Sequence, residues 1–167
     1  GYAGMAPSLN NPKFLLGPVE SDDMGSLLRK WRDTVQEYNQ GAGEHVWDFR
    51  ERAHVSILAA AAWRSKGIAI EEWQTGKASL EGKRRSGRCD IWLSCGGLEI
   101  YGEAKHKWQR VSKKVDTSVE RVRGALAHAC SDALQLTGRR NKGSHRMGIL
   151  FVSPIFHHVE QEEAIRR

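Results

Sequence analysis

Apolar residues recur at two different periods along the chain, and the switches between those periods mark out its elements. From Ser21 to about Tyr38, Leu27, Leu28, Trp31, Val35 and Tyr38 share one helical stripe, with Ser21 as the capping residue and Asn39–Gly43 as the stop. A second helix is predicted from Glu44 to Ser65, ending at Lys66-Gly67. One of its faces carries Phe49, Ala53, Ile57, Ala60 and Ala61, and the neighbouring line carries Glu51, Val55, Leu58 and Ala62. Glu51 thus heads an otherwise apolar line instead of lying on a polar back. An acid favoured by the N-terminal helix dipole is the plain explanation. It does not require the apolar line, so Glu51 stays a candidate for chemistry.

The period then drops to two. Ile68–Gln74 alternates in part, and Arg88–Ser94 alternates well, with Cys89, Ile91, Leu93 and Cys95 on one face and Asp90 and Trp92 on the other. After Gly96-Gly97, Leu98, Ile100, Gly102 and Ala104 face one way, while Glu99, Tyr101, Glu103 and Lys105 face the other. Two alternating runs around a Gly-Gly turn predict a hairpin. A basic connector follows, then a helix with Thr117 and Glu120 at capping-box spacing and Gly138 as its stop. Val119, Val122, Leu126, Ala129 and Ala133 form its packing stripe. Arg146–Ile155 is a largely apolar strand suited to a sheet interior, and Pro154 limits its pairing there.

Residues 1–20, with all but one of the 4 prolines, are expected to be an extended lead-in. Residues 21–43 form the N-terminal helix and hinge, 44–155 the core, and 156–167 a C-terminal tail. The predicted order is helix, helix, strand, strand, strand, helix, strand. Helices on both sides of a small mixed sheet make an α/β protein, a three-layer α/β/α sandwich. The chain has 167 residues, 40% hydrophobic and 28% charged, which suits one domain with a real core.

Charge and cysteine usage narrow the function classes. The net charge is +6, and basic residues concentrate in Lys77–Arg88, Lys105–Lys114 and Gly138–Arg146, which points to an anionic partner. Three cysteines at irregular spacing make neither a disulfide framework nor a zinc pattern, and fit a reducing compartment, with the cytoplasm as the expectation. No apolar run reaches the ~20 residues of a membrane span, and the N-terminus does not read as a secretory signal. No nucleophile elbow or Gly-rich phosphate loop occurs; Gly41–His45 precedes a helix but follows no strand. His106, His128, His157 and His158 have no ligand or triad spacing.

The hairpin holds the candidate chemistry. A wet face on an amphipathic hairpin would carry carboxylates and lysines in any case. Here, however, Glu103 and Lys105 stand side by side on one strand face, and Asp90 shares that side from the strand before. Magnesium takes one or two carboxylates and keeps waters, so Asp90, Glu103 and the backbone carbonyl of Ala104 form a suitable donor set. Such an ion lowers the pKa of a bound water and neutralises charge on a phosphate. Lys105 can orient or help deprotonate that water, or stabilise the transition-state charge.

Asp90 on the second core strand, Glu103-Ala104-Lys105 on the third, and the element order over residues 44–155 resemble the PD-(D/E)XK nuclease superfamily, the restriction-endonuclease-like fold. The resemblance covers about two-thirds of the chain, and Cys89 stands where the motif's proline precedes the aspartate. It implies a metal-dependent nuclease that hydrolyses phosphodiester bonds, in DNA above all, with an extra N-terminal helix. It implies magnesium, with manganese able to substitute, held by Asp90, Glu103 and the Ala104 carbonyl. Lys105 becomes the catalytic lysine, and Glu51 the first-helix acid, with Glu44 as its alternative. Gln135 becomes the polar residue on the following helix, with Asp132 as the other choice. Lys83, Arg84, Arg85, Arg88, Lys107, Arg110, Lys113 and Lys114 would track the phosphate backbone. Trp73, Trp92 and Trp108 are candidates for stacking on unpaired bases, with packing as the ordinary alternative. A non-catalytic nucleic-acid- or protein-binding module on the same fold is the alternative function. A homodimer or a larger multidomain setting is left open, and no membrane partner is expected.

Overall fold

The computed structural model describes residues 22–78, 82–110, 115–137 and 144–155. The 1–20 lead-in, Ser21, Lys113, Lys114, Gly138 and the 156–167 tail lie outside the described residues. Helix α1 spans Asp22–Ala42, α2 Glu51–Arg64 and α3 Val115–Leu134; strands β1, β2, β3 and β4 span Ile68–Ala78, Arg84–Cys95, Leu98–Arg110 and Ser144–Ile155. The sheet order is β1-β2-β3-β4, with β1–β2 and β2–β3 antiparallel and β3–β4 parallel. The protein is therefore α/β, an open mixed four-stranded sheet with three helices among the described residues, compatible with an α/β sandwich. No helix among the described residues is long and apolar enough to cross a membrane.

Three helix boundaries differ from the sequence expectation. α1 continues past Asn39 to Ala42, and Gly43, at φ +69°, ends it. Asn39 does not break the helix; it is buried, and its side-chain oxygen accepts a hydrogen bond from the Val46 backbone N–H at 3.0 Å. That contact turns the chain into a short 3-10 turn, Val46–Asp48, after which Phe49 and Arg50 are extended. The second helix therefore begins at Glu51, not Glu44, and Glu44 is an exposed residue outside it. The α3 helix begins at Val115, so Thr117 lies inside it and does not cap it.

One face of the sheet makes the core. Val55, Leu58, Ala59 and Ala62 of α2 pack on Ile91, Leu93, Leu98, Ile100 and Ala104, with Met24 and Leu27 of α1 closing the cluster. The line headed by Glu51 is buried at Val55, Leu58 and Ala62, while the other line is buried at Ala61 and its head, Phe49, is exposed. The paired residues Leu93↔Ile100 and Cys95↔Leu98 share this face, as period-two alternation requires. At the turn, Gly96 has φ +62°, and a side chain there would run into the Asp23 carboxylate, whose Oδ2 accepts from the Gly97 N–H at 3.0 Å.

The opposite face carries α3, which packs on β3 and β4. Gly148 makes this possible: a Cβ there would meet the backbone of Ala129 and Cys130, whereas its neighbours Met147 and Ile149 pack on the α2 side. Only Ala129 and Ala133 of the predicted α3 stripe are buried, and Val119 and Leu126 are exposed, because small residues alone allow this close approach. β4 lies at a sheet edge, not in its interior, which is why Pro154 is tolerated opposite Gln109. The basic runs after Gln74 and Lys105 are strand instead of connector: β1 reaches Ala78, β2 starts at Arg84 and β3 runs to Arg110.

Candidate active site

Glu103 and Lys105 alternate onto one side of β3, with Lys105 turned to α3, and Asp90 sits where β2 and β3 part. The β2–β3 ladder ends at Ile91↔Gly102. One step on, Asp90 pairs through its side chain: Oδ2 accepts the Ala104 backbone N–H at 2.6 Å. The carboxylate satisfies a donor that the diverging strands leave without a ladder partner. That bond draws Asp90 to the Glu103-Ala104-Lys105 backbone.

Glu103 is the buried acid of the group, with a side chain 5% exposed. Burial raises its pKa, and the negative charge of Asp90 raises it further, against the opposing influence of Lys77 and Lys105. The Lys77 ammonium lies 2.7 Å from Oε1 and supplies this buried oxygen with its counter-charge. Lys105 points the other way along the face and meets Asp132 Oδ2 at 2.9 Å. Asp132 raises the Lys105 pKa, so the ammonium holds its proton.

Glu51 reaches this group from the first turn of α2. Its pKa is raised first by burial and next by the charge of Asp90, while Lys105 and a hydrogen bond from the His106 backbone pull it down. Glu51, Asp90, Glu103 and Lys105 are thus in electrostatic contact, although they come from α2, β2 and β3.

Other predicted residues fall elsewhere. Gln135 is not on the helix: α3 ends at Leu134 because residues 135–137 pair with β1, through Ala78 N–H to the Gln135 carbonyl (2.8 Å) and Thr137 N–H to the Gly76 carbonyl (2.7 Å). Asp132 is the α3 residue that meets the site. Lys83, Arg85 and Arg88 lie exposed at the start of β2, on a two-stranded arm with β1, and Arg88 pairs with Glu72 at 3.2 Å. Lys107 is half-buried on β3, and Arg110 is exposed at the strand's end; the Arg84 side chain lies outside the described residues. Trp73 and Trp92 stack on each other at 5.2 Å, and Trp108 packs edge-on against His106.

Two neighbours of the site gave no signal in the sequence. Lys77 was one cation in a basic run, and only the fold brings it to Glu103. His54, on α2, is buried between His106 (4.8 Å) and Phe151 (5.0 Å), and His106 contacts Ser153 at 2.8 Å. Burial, with His106 beside it, lowers the His54 pKa to about 4. The nearby Cys89 thiol is pushed up to about 12 by burial and the Glu103 charge, so it is inert as a nucleophile.

Among the described residues no group of three or more His, Cys, Asp or Glu side chains is arranged to hold a metal. Two carboxylates with a backbone carbonyl are a smaller donor set, and they fit a hard divalent cation on one observation: the buried Glu103 Oε1 already holds a cation, the Lys77 ammonium, at 2.7 Å. Comparison of the chain with family models, curated proteins and solved structures finds no significant match.

Proposed function

We propose that the protein is a metal-dependent nuclease with a restriction-endonuclease-like core, acting on phosphodiester bonds in DNA. The observation that carries this reading is the convergence of Asp90 and Glu103 at the point where their strands part, with Glu51 and Lys105 in electrostatic reach. Asp90, Glu103 and the Ala104 carbonyl would hold magnesium or manganese. The bound ion would supply a water of lowered pKa and neutralise charge on the phosphate. Glu51 shapes the field around the acids from the α2 N-terminus. Lys105, kept protonated by Asp132, acts as a fixed positive charge for the phosphoryl oxygens and not as a base. Arg85 and Lys83 on the β1–β2 arm, and Arg110 beyond the site, offer cations to the phosphate backbone.

The test is incubation of the purified chain with single-stranded and duplex DNA, with magnesium, manganese or EDTA, beside Glu103→Ala and Lys105→Ala. Metal-dependent cleavage that both variants lose supports the nuclease and its site together. Salt-sensitive DNA binding without cleavage moves the reading to a non-catalytic binding module. That second reading draws on the pairing of Lys77 with Glu103 and of Lys105 with Asp132, which balances charge without a metal.

A further inference from the structure

We infer that Lys77 is the counter-ion of the candidate metal site, and that its ammonium competes with a divalent cation for Glu103. The inference rests on the nuclease reading of Asp90 and Glu103 and adds a competitor that this reading lacks. Three observations carry it.

The first is the contact itself, 2.7 Å from Nζ to Oε1 on a carboxylate that is 5% exposed, with the lysine side chain 21% exposed. A buried carboxylate needs a nearby positive charge, and an ammonium already held at that carboxylate repels a second cation.

The second is that the Lys77 backbone is fixed on both sides. It pairs with Arg85 across the β1–β2 ladder and bridges to Leu136 on its other edge. The flanking bonds from Ala78 to Gln135 and from Thr137 to Gly76 hold the same stretch. The ammonium is therefore delivered by a pinned strand and moves only through its own side-chain torsions.

The third is a path cleared for the side chain. A Cβ on Gly87 would lie 2.8 Å from the Lys77 Cγ and 3.0 Å from its Cδ, so the aliphatic stem crosses the sheet where only glycine leaves room. A cation on a flexible stem, anchored at its root, can leave the acid when a stronger one arrives and return when it goes. The site thus stays neutralised without metal, at the cost of metal affinity.

The test is calorimetric titration of the full chain with manganese chloride alone, in the wild type, Lys77→Met and Glu103→Gln, with thermal melting of each alongside. Lys77→Met is expected to bind manganese about tenfold more tightly, a shift of about one pK-equivalent for one removed competitor. It should melt at a lower temperature without metal and gain more from manganese than the wild type does. Glu103→Gln should bind manganese weakly or not at all. Lys77→Gln tests the same point should Lys77→Met fail to fold. Equal or weaker binding by the lysine variants, with Glu103→Gln defective, overturns the counter-ion and leaves the metal site standing. Absence of manganese binding in every protein overturns both.

Discussion

The two faces of β3 differ sharply. Leu98, Ile100, Gly102 and Ala104 are buried against α2, while Glu99, Tyr101 and Lys105 on the other face are half-exposed. The α2 face is closed by interdigitating aliphatic groups, where a polar atom without a partner would cost about 1–3 kcal/mol. The other face lies under α3, which covers β3 and β4 and comes close at Ala129, Ala133 and Gly148. Charged groups there keep water or one another. Glu103 is the exception on that face, an acid as buried as the aliphatic residues behind it.

The same contrast separates the two lysine–carboxylate pairs. Lys105 and Asp132 are 38% and 39% exposed, so solvent screens them, whereas the Lys77–Glu103 pair is nearly closed off. Burial, more than distance, decides how strongly each pair matters.

The largest expected effect is on chemistry. Glu103→Ala should reduce metal-dependent DNA cleavage by about a thousandfold, read from single-turnover rates. Residual cleavage near the wild-type rate would remove Glu103 from the site. On the opposite face of the strand, Ile100→Ala should leave the acids in place but cost about 3 kcal/mol of stability in urea unfolding. A cost under about 1 kcal/mol would mean that the α2 face is not the core described here.

A pH profile probes the α2 face differently. His54 titrates at about 4 in the fold, below its ordinary 6.5, so the unfolded chain binds a proton that the native chain refuses between those values. Stability should therefore fall as pH drops through that window, by about 3 kcal/mol in all, and show no His54 contribution above it. His106 shifts in the same direction for the same reason, burial. The difference between wild type and His54→Phe in urea unfolding from pH 7 to pH 4 isolates the His54 share. Parallel profiles would mean that the imidazole gains a partner on protonation.

The smallest effect should come from the exposed pair. Asp132→Asn is expected to change stability by less than about 1 kcal/mol, and that difference should shrink in high salt. A loss that persists at high salt would show that the pair is shielded as Lys77 and Glu103 are.

Much of the hairpin was legible in the sequence because its signals are local. Alternation groups Glu103 with Lys105 on one side of β3, and Gly96-Gly97 mark the turn that joins β2 to β3. Glu51 also stood out by position, as the head of the line buried at Val55, Leu58 and Ala62. The misses share a cause. Asn39 looked like a helix stop but is used as a hydrogen-bond acceptor for Val46, a contact across the turn. Gln135 looked like the better polar residue on the helix, but the β1 edge captured its backbone and left Asp132 to meet Lys105. The runs at Lys77–Arg88 and Lys105–Arg110 looked like loops because charge masks alternation, and strand pairing carried β-structure through them.

By itself the sequence determined which residues share a face, because side-chain direction in a strand follows from the pleat of its own backbone. Only the tertiary structure decided which charges meet. The contact of Lys77 with Glu103 depends on where β1 bends, where β2 leaves β3 and how residues 135–137 close the edge. Those are properties of several segments at once, and no local period encodes them.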